Sequence, residues 1–183
     1  DGLLDRETAL EALCSFPGVE RRMCLRAVGE KQLLIEDYAH HPTELAASLK
    51  TMRELYPGRR LVVIFQPHRY ARLKQYFHEF ARELAKADEV FVTPVFAAWT
   101  QSDTLDSPDL ARAVGDRAHF ICGTWESMAE QVSASLKEND LAAVIGAGDI
   151  KEIIAPLRRR IIRIPDLGLV IAAGGSSTRF GHG

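Results

Sequence analysis

The chain has 183 residues, of which 46% are hydrophobic and 26% charged, with a formal net charge of -2. That length gives one ordinary domain a full core and leaves room for a small appendage. The balance of charge implies no basic face and so argues against a nucleic-acid partner, and no stretch has the length or purity of a membrane span. Three scattered cysteines (Cys14, Cys24, Cys122) form no C-x-x-C pair, which argues against a disulfide framework or a cysteine zinc site and fits a reducing, cytoplasmic setting. No signal peptide opens the chain. It starts at Asp1 rather than Met and ends in glycine-rich residues, so it reads as a piece of a longer polypeptide.

Asp5 to Phe16 is predicted as a helix capped by Asp5, with Ala9, Leu10, Leu13 and Phe16 at helical spacing, and Pro17-Gly18 ends it. Met23–Val28 and Gln32–Ile35 are predicted strands around the hairpin signal Gly29-Glu30-Lys31. Pro42 suits a first helical turn, and Leu45, Leu49 and Met52 mark the buried face of a helix that ends near Tyr56-Pro57-Gly58. Leu61–Phe65 is a continuous apolar run, as expected of a strand covered on both faces. One helix is predicted to follow, with Phe77, Phe80, Ala81 and Leu84 on its stripe. Glu89–Val92 is the next strand, and Ser107-Pro108-Asp109 reads as a cap-plus-proline helix start. His119–Ile121 is a short strand, Thr124 opens a helix, Leu141–Ile145 is a buried strand, and Gly146-Ala147-Gly148-Asp149 leads into a helix over Ile150–Leu157. The cluster Arg158-Arg159-Arg160 falls at that helix's end, where cations complement the dipole.

Strands alternating with helices predict an α/β fold: an open, mostly parallel Rossmann-like sheet flanked by helices, with an antiparallel edge hairpin. A composition shift after Arg163 sets domain limits at 1–163 and 164–183.

Two stretches concentrate the chemistry. Glu36-Asp37-Tyr38-Ala39-His40-His41-Pro42-Thr43-Glu44 lies between a strand and a helix, where backbone donors and side chains converge on ligands. Phe65-Gln66-Pro67-His68-Arg69-Tyr70-Ala71-Arg72 sits at the carboxyl end of the next strand, on the same rim. Arg69 and Arg72, read as a pair on one helix start, suit a shared carboxylate or phosphate, because the guanidinium fork makes two parallel charge-assisted bonds. Helix starts disfavour cations, and a bound anion would resolve that conflict. Adjacent histidines on one loop seldom face a single ion, so His40, His41 and His68 are not read as a metal site.

These two stretches, with Gly18-Val19-x-Arg21-Arg22 before them and Gly146-Ala147-Gly148-Asp149 after them, resemble the C-terminal domain of the Mur ligases over roughly residues 1 to 160. The likeness is strongest to the alanine-adding members. What the resemblance implies is an ATP-dependent ligase of peptidoglycan synthesis that joins L-alanine to UDP-N-acetylmuramate through an acyl phosphate. It also implies partner domains, N-terminal and central, that lie outside this chain. Magnesium is expected on the ATP phosphates, with ligands mainly in the central domain. By the same resemblance, Arg22 matches a nucleotide-phosphate arginine and Asp37 a carboxylate near the ribose. Tyr38, His40, Arg69 and Arg72 match the L-alanine positions. His41 and His68 are read as positional, not as bases. Departures are Glu36 where aspartate is common, Ala71 and Leu73 where threonines are usual, and Trp99 in a loop that usually carries a small residue. No G-x-x-x-x-G-K-[ST] loop is present, so the piece alone is expected to be inactive. The alternatives are a murein tripeptide-recycling ligase of the same family and a non-catalytic module.

Leu169 to Gly181 forms a strand-then-glycine-loop pattern that resembles the opening of a nucleotidyltransferase of the methylerythritol phosphate cytidylyltransferase type. Gly174, Gly175 and Arg179 would then form an NTP-phosphate loop. This implies a fused second enzyme, cut just after its first loop.

Overall fold

The longest apolar runs form the centre of a sheet, because strands covered on both faces need apolar side chains on both. The computed structural model describes residues 5–15, 19–29, 32–99 and 104–162. Its strands are β1 (Cys24–Val28), β2 (Leu33–Asp37), β3 (Arg60–Phe65), β4 (Glu89–Val92), β5 (Ala118–Phe120) and β6 (Asp140–Ile145). They form one sheet in the order β1-β2-β6-β3-β4-β5. The β1–β2 pair is antiparallel and the other pairs are parallel, as the sequence predicts.

The helices are α1 (Arg6–Ser15), α2 (Pro42–Leu55), α3 (Tyr70–Gln75), α4 (Phe77–Leu84), α5 (Ser107–Val114), α6 (Trp125–Ser135) and α7 (Ile154–Ile161), the last preceded by a 3-10 turn, Asp149–Ile153. Strand side chains alternate between two cores. Leu61, Val63 and Phe65 pack with Leu45, Leu49 and Met52 of α2, Phe80 and Leu84 of α4, and Leu110 of α5. Val62 and Ile64 face the other way, against Met128 and Val132 of α6 and Leu157 and Ile161 of α7. Each such side chain contributes about 2 kcal/mol by leaving water. Among the described residues no helix is long and apolar enough to cross a membrane.

Local signals decide the helix ends. Asp5 Oδ1 accepts the N–H groups of Glu7 and Thr8, at 2.9 and 3.0 Å, and caps α1. His41 caps α2, Pro42 takes its first position, and Glu44 returns to the His41 N–H to complete a capping box. Three expectations need correction. The helix after β3 is two helices, because Tyr76 at φ -119°, ψ 27° leaves the helical region between α3 and α4. The cap of α5 is Asp106, one residue earlier than read, with Ser107 and Pro108 already helical. Strand β2 continues through Glu36 and Asp37, which register with Val144 and Ile145 of β6 and are buried. Arg158, Arg159 and Arg160 do lie in the last turn of α7, where Arg159 and Arg160 also pair with Glu126 at 2.7 and 2.5 Å. The 163/164 boundary and the glycine-rich loop with Gly174, Gly175 and Arg179 lie outside the described residues.

β6 is inserted between β2 and β3, so the chain leaves neighbouring strand ends toward opposite faces. Helix α2 packs on one face and α7 on the other. Such a reversal opens a crevice beyond the carboxyl ends of the strands.

Candidate functional site

The last residues of four strands register in one row, Asp37, Ile145, Phe65 and Val92. The segments that follow them therefore share one rim, and the two dense stretches meet there. A glycine turn separates them. Gly146 has φ +156°, and a Cβ on Gly148 would lie 2.3 Å from Gln66 Oε1 and 2.6 Å from Phe96 Cγ. Gln66 locks this turn: its Nε2 donates to Asp149 Oδ1 at 2.7 Å, and its Oε1 accepts the Ile150 N–H at 3.1 Å.

From Tyr38 a line of rings crosses the rim. Tyr38 meets His40 edge-on at 5.3 Å, His40 lies 5.7 Å from His68, and His68 stacks on Phe96 at 5.4 Å and 18°. The two imidazoles are fixed in opposite senses. His40 Nδ1 faces the Tyr38 carbonyl at 3.1 Å and Glu44 Oε2 at 3.3 Å. Both neighbours only accept, so Nδ1 carries the proton. His68 Nδ1 lies 3.2 Å from Arg72 Nη1. Guanidinium only donates, so this nitrogen is the acceptor and the proton sits on Nε2. Burial, then the charges of Arg72, His40 and Arg69, lower the His68 pKa from 6.5 to about 4. His68 is therefore neutral at physiological pH and holds Arg72 by a lone pair.

Glu44 closes this side of the site. It accepts the His40 and His41 N–H groups at 2.9 and 3.3 Å and faces Arg22 Nη2 at 3.8 Å. Burial works to raise its carboxyl, but the His40 N–H, the His40 and Arg22 charges and the His41 N–H together hold it below its ordinary range.

The structure alters the reading of the two arginines. Arg72 is in the first turn of α3, as expected. Arg69 is not part of a helical pair: it precedes the helix in a left-handed conformation, φ 68°, ψ 129°. The loop after β4 imposes this. Arg69 N–H donates to the Phe96 carbonyl at 2.9 Å, Phe96 N–H donates to the Pro67 carbonyl at 2.8 Å, and His68 and Phe96 bridge as a strand pair. A non-glycine residue held at positive φ is a strain that the surroundings must impose, and such residues cluster at functional sites. The Arg69 side chain is exposed.

Asp37 is buried, and the chain's own donors hold its carboxylate. Oδ1 accepts the Ala39 N–H and the Ser48 hydroxyl, both at 2.9 Å, and Oδ2 accepts the Met23 N–H at 2.9 Å. Arg22 stands beside it on the turn before β1, 46% exposed, with its guanidinium carbon 5.5 Å from the Tyr38 ring centre. The structure thus brings Arg22, Tyr38, His40, Arg69 and Arg72 to one rim. Sequence reasoning missed Gln66, Phe96 and Arg21, whose partners lie 83, 28 and 125 residues away. Arg21 and Gln66 stand inside stretches already singled out, beside Arg22 and His68, but nothing local to them announces these partners.

Among the described residues no three carboxylate, imidazole or thiol groups converge to hold a metal ion. A magnesium ion at this rim would find Asp37 already engaged by the chain's own donors.

The sequence profile described as Mur ligase, glutamate ligase domain, matches residues 21–148. A UDP-N-acetylmuramate–L-alanine ligase of Desulforapulum autotrophicum is 38% identical over 151 residues, which is 80% of this chain and 33% of the relative. A bifunctional enzyme MurC/Ddl of Chlamydia caviae is 37% identical over 153 residues, covering 82% of this chain and 19% of that protein. The crystal structure of a UDP-N-acetylmuramate-alanine ligase from Thermotoga maritima superposes with a TM-score of 0.65 at 32% identity, over 86% of this chain and 33% of that one. The chain spans about a third of the length of most alanine-ligase relatives it matches.

Proposed function

Because the chain belongs to the Mur ligase family, whose glutamate ligase domain it carries, we propose that it is the C-terminal, amino-acid-binding part of an ATP-dependent ligase joining L-alanine to UDP-N-acetylmuramate. The observation that carries this reading is the Arg72–His68–His40 cluster, with Arg69 beside it, on the carboxyl rim of the sheet. The identity to alanine ligases supports the choice of amino acid.

In this reading Arg72 and Arg69 take the alanine carboxylate, Arg72 being aimed by the His68 lone pair. The His40 ring, its Nδ1–H turned to the Tyr38 carbonyl and Glu44, lies beside the amino group, and Tyr38 walls that side. No residue here serves as nucleophile or acid–base catalyst. The contribution is placement, because holding an amine against an activated acyl group removes much of the entropic barrier. ATP supplies the phosphoryl group that activates the muramoyl carboxylate, and the free alanine amine then displaces phosphate to form the amide, its proton leaving with the released phosphate. Arg22 faces the nucleotide phosphates, and Asp37 lies beneath the ribose side of that subsite. Magnesium belongs with the ATP phosphates, its ligands mainly in the central domain, while the N-terminal domain brings UDP-N-acetylmuramate.

We further infer that residues 164–183 are a linker and the opening of a fused nucleotidyltransferase, with Gly174, Gly175 and Arg179 in its phosphate loop. The Chlamydia caviae relative is itself named as bifunctional, with a different second part.

The test is the alanine dependence of the whole ligase. Arg69→Ala or Arg72→Ala should each raise the alanine KM about 10- to 100-fold, the worth of a charge-assisted contact, and leave the UDP-sugar KM nearly unmoved. An unchanged alanine KM in both variants counts against the assignment.

A further inference from the structure

The turn that carries Arg22 is fastened at two points, one on each side of that residue. Residues 21 and 23 are both left-handed, Arg21 at φ 59° and Met23 at φ 49°. Neither is glycine, so the turn is held in this shape by its contacts. On one side the Met23 N–H donates to Asp37 Oδ2 at 2.9 Å. On the other, Arg21 Nε donates to Glu36 Oε1 at 2.7 Å. Glu36 and Asp37 are consecutive residues of β2, both almost fully buried. A buried carboxylate is tolerable only when paired, and Glu36 is paired twice, its Oε2 accepting Arg26 Nε at 2.6 Å.

Arg21 does more than satisfy Glu36. Its Nη2 donates to the carbonyls of Gly146 and Gly148 at 2.7 and 3.3 Å, and its guanidinium carbon lies 4.8 Å from the Tyr38 ring centre. One fork therefore ties together the turn before β1, the residue after β2 and the glycine turn after β6. Arg22 is left between the two fastenings with its own guanidinium toward solvent, 46% exposed, beside Tyr38 and Glu44.

We infer that Glu36 and Arg21 are positioning residues that, with Asp37, aim Arg22 at its anionic ligand. The inference rests on the reading of Arg22 as a nucleotide-phosphate contact. It assigns the buried carboxylates of β2 to the geometry of that contact and not to contact with ATP themselves. A lysine in place of Arg21 keeps the charge but loses the fork, since a single ammonium cannot span Glu36 and two carbonyls in this geometry.

The experiment is a double-mutant cycle on the whole ligase, reading KM for ATP and for L-alanine. Arg22→Ala should raise the ATP KM at least about tenfold, and Arg21→Lys and Glu36→Gln each about three- to tenfold, with the alanine KM raised by a clearly smaller factor. Arg21→Lys combined with Arg22→Ala should be no worse for ATP than Arg22→Ala alone, because a residue that acts only through Arg22 has nothing left to aim. A general loosening of the fold would instead add to the Arg22→Ala effect and raise both KM values alike. Should Glu36→Gln not fold, the Arg21→Lys cycle decides alone. Additive effects, or a normal ATP KM in Arg21→Lys, overturn the inference while leaving the Arg22 reading in place. A normal ATP KM in Arg22→Ala overturns the Arg22 reading, and this inference with it.

Discussion

The two ends of this sheet treat charge in opposite ways. At the amino end of the strands, Arg60 faces the carboxylates of Glu89 and Asp140, the latter at 2.8 Å, and Ser135 donates to Glu89 at 2.6 Å. There one cation meets two buried acids. At the carboxyl end, Arg21 and Arg26 share the single carboxylate of Glu36, Arg22 has among the described residues only Glu44 at 3.8 Å, and Arg72 is held by a neutral imidazole. Cations are thus in excess where the glycine turn and the strand order open a crevice. They are consumed internally where no such opening exists. A rim whose cation is fully engaged by buried acids has no positive charge to offer, whereas one that leaves positive charge unspent suits an anion from outside.

This contrast can be broken most forcefully at the amino end. Arg60→Met keeps much of the side chain's bulk but strands the Glu89 and Asp140 carboxylates, and should destabilise the protein by about 3 kcal/mol. Urea unfolding measures that loss, and the alanine and ATP KM values of the folded ligase should stay unchanged. At the carboxyl end, Gly148→Ala forces a methyl group against Gln66 and Phe96. An overpacking cost of about 2 kcal/mol is expected, and here the alanine KM should rise as well, because Phe96 is the ring on which His68 stacks.

The third effect, one of pH, is screened because His68 is only partly buried. His68 is protonated near 6.5 when unfolded but only near 4 in the folded chain. As pH falls from about 6.5 to about 4 the unfolded state gains a proton that the folded state refuses, so stability falls across that window and levels off below it. Glu44 and Asp88, whose folded carboxyls are held low, also lose stability in acid. The His68 part is therefore read as a difference. Urea midpoints of His68→Asn should fall less steeply between pH 6.5 and 4.5 than those of the parent, and identical slopes would remove His68 from the account.

Much of this was legible in the sequence because it depends on neighbours along the chain. Leu45, Leu49 and Met52 reveal α2 by spacing, Pro42 and Glu44 mark its start, and Leu61–Phe65 can only be an interior strand. Both dense stretches fall on one rim because each follows the carboxyl end of a strand in a mostly parallel sheet. The break at Tyr76 was not legible, since the apolar stripe continues through Phe77 and Phe80. Arg69 looked helical because its conformation is dictated by Phe96, 27 residues on, through a backbone bond that no local pattern announces. Glu36 and Asp37 were read as polar loop residues, whereas long-range partners, Arg21 for one and Met23 for the other, make their burial in β2 tolerable. Pairing across the fold, not propensity, decided each of these.

The claim that the excess positive charge holds the alanine carboxylate is tested most directly by removing that carboxylate from the substrate. With L-alaninamide in place of L-alanine, the whole ligase should lose about tenfold or more in kcat/KM. The Arg69→Ala/Arg72→Ala double variant should show a ratio between the two amines close to one. If the double variant still prefers alanine over its amide by the parent's full factor, the arginines do not grip the carboxylate and the account fails.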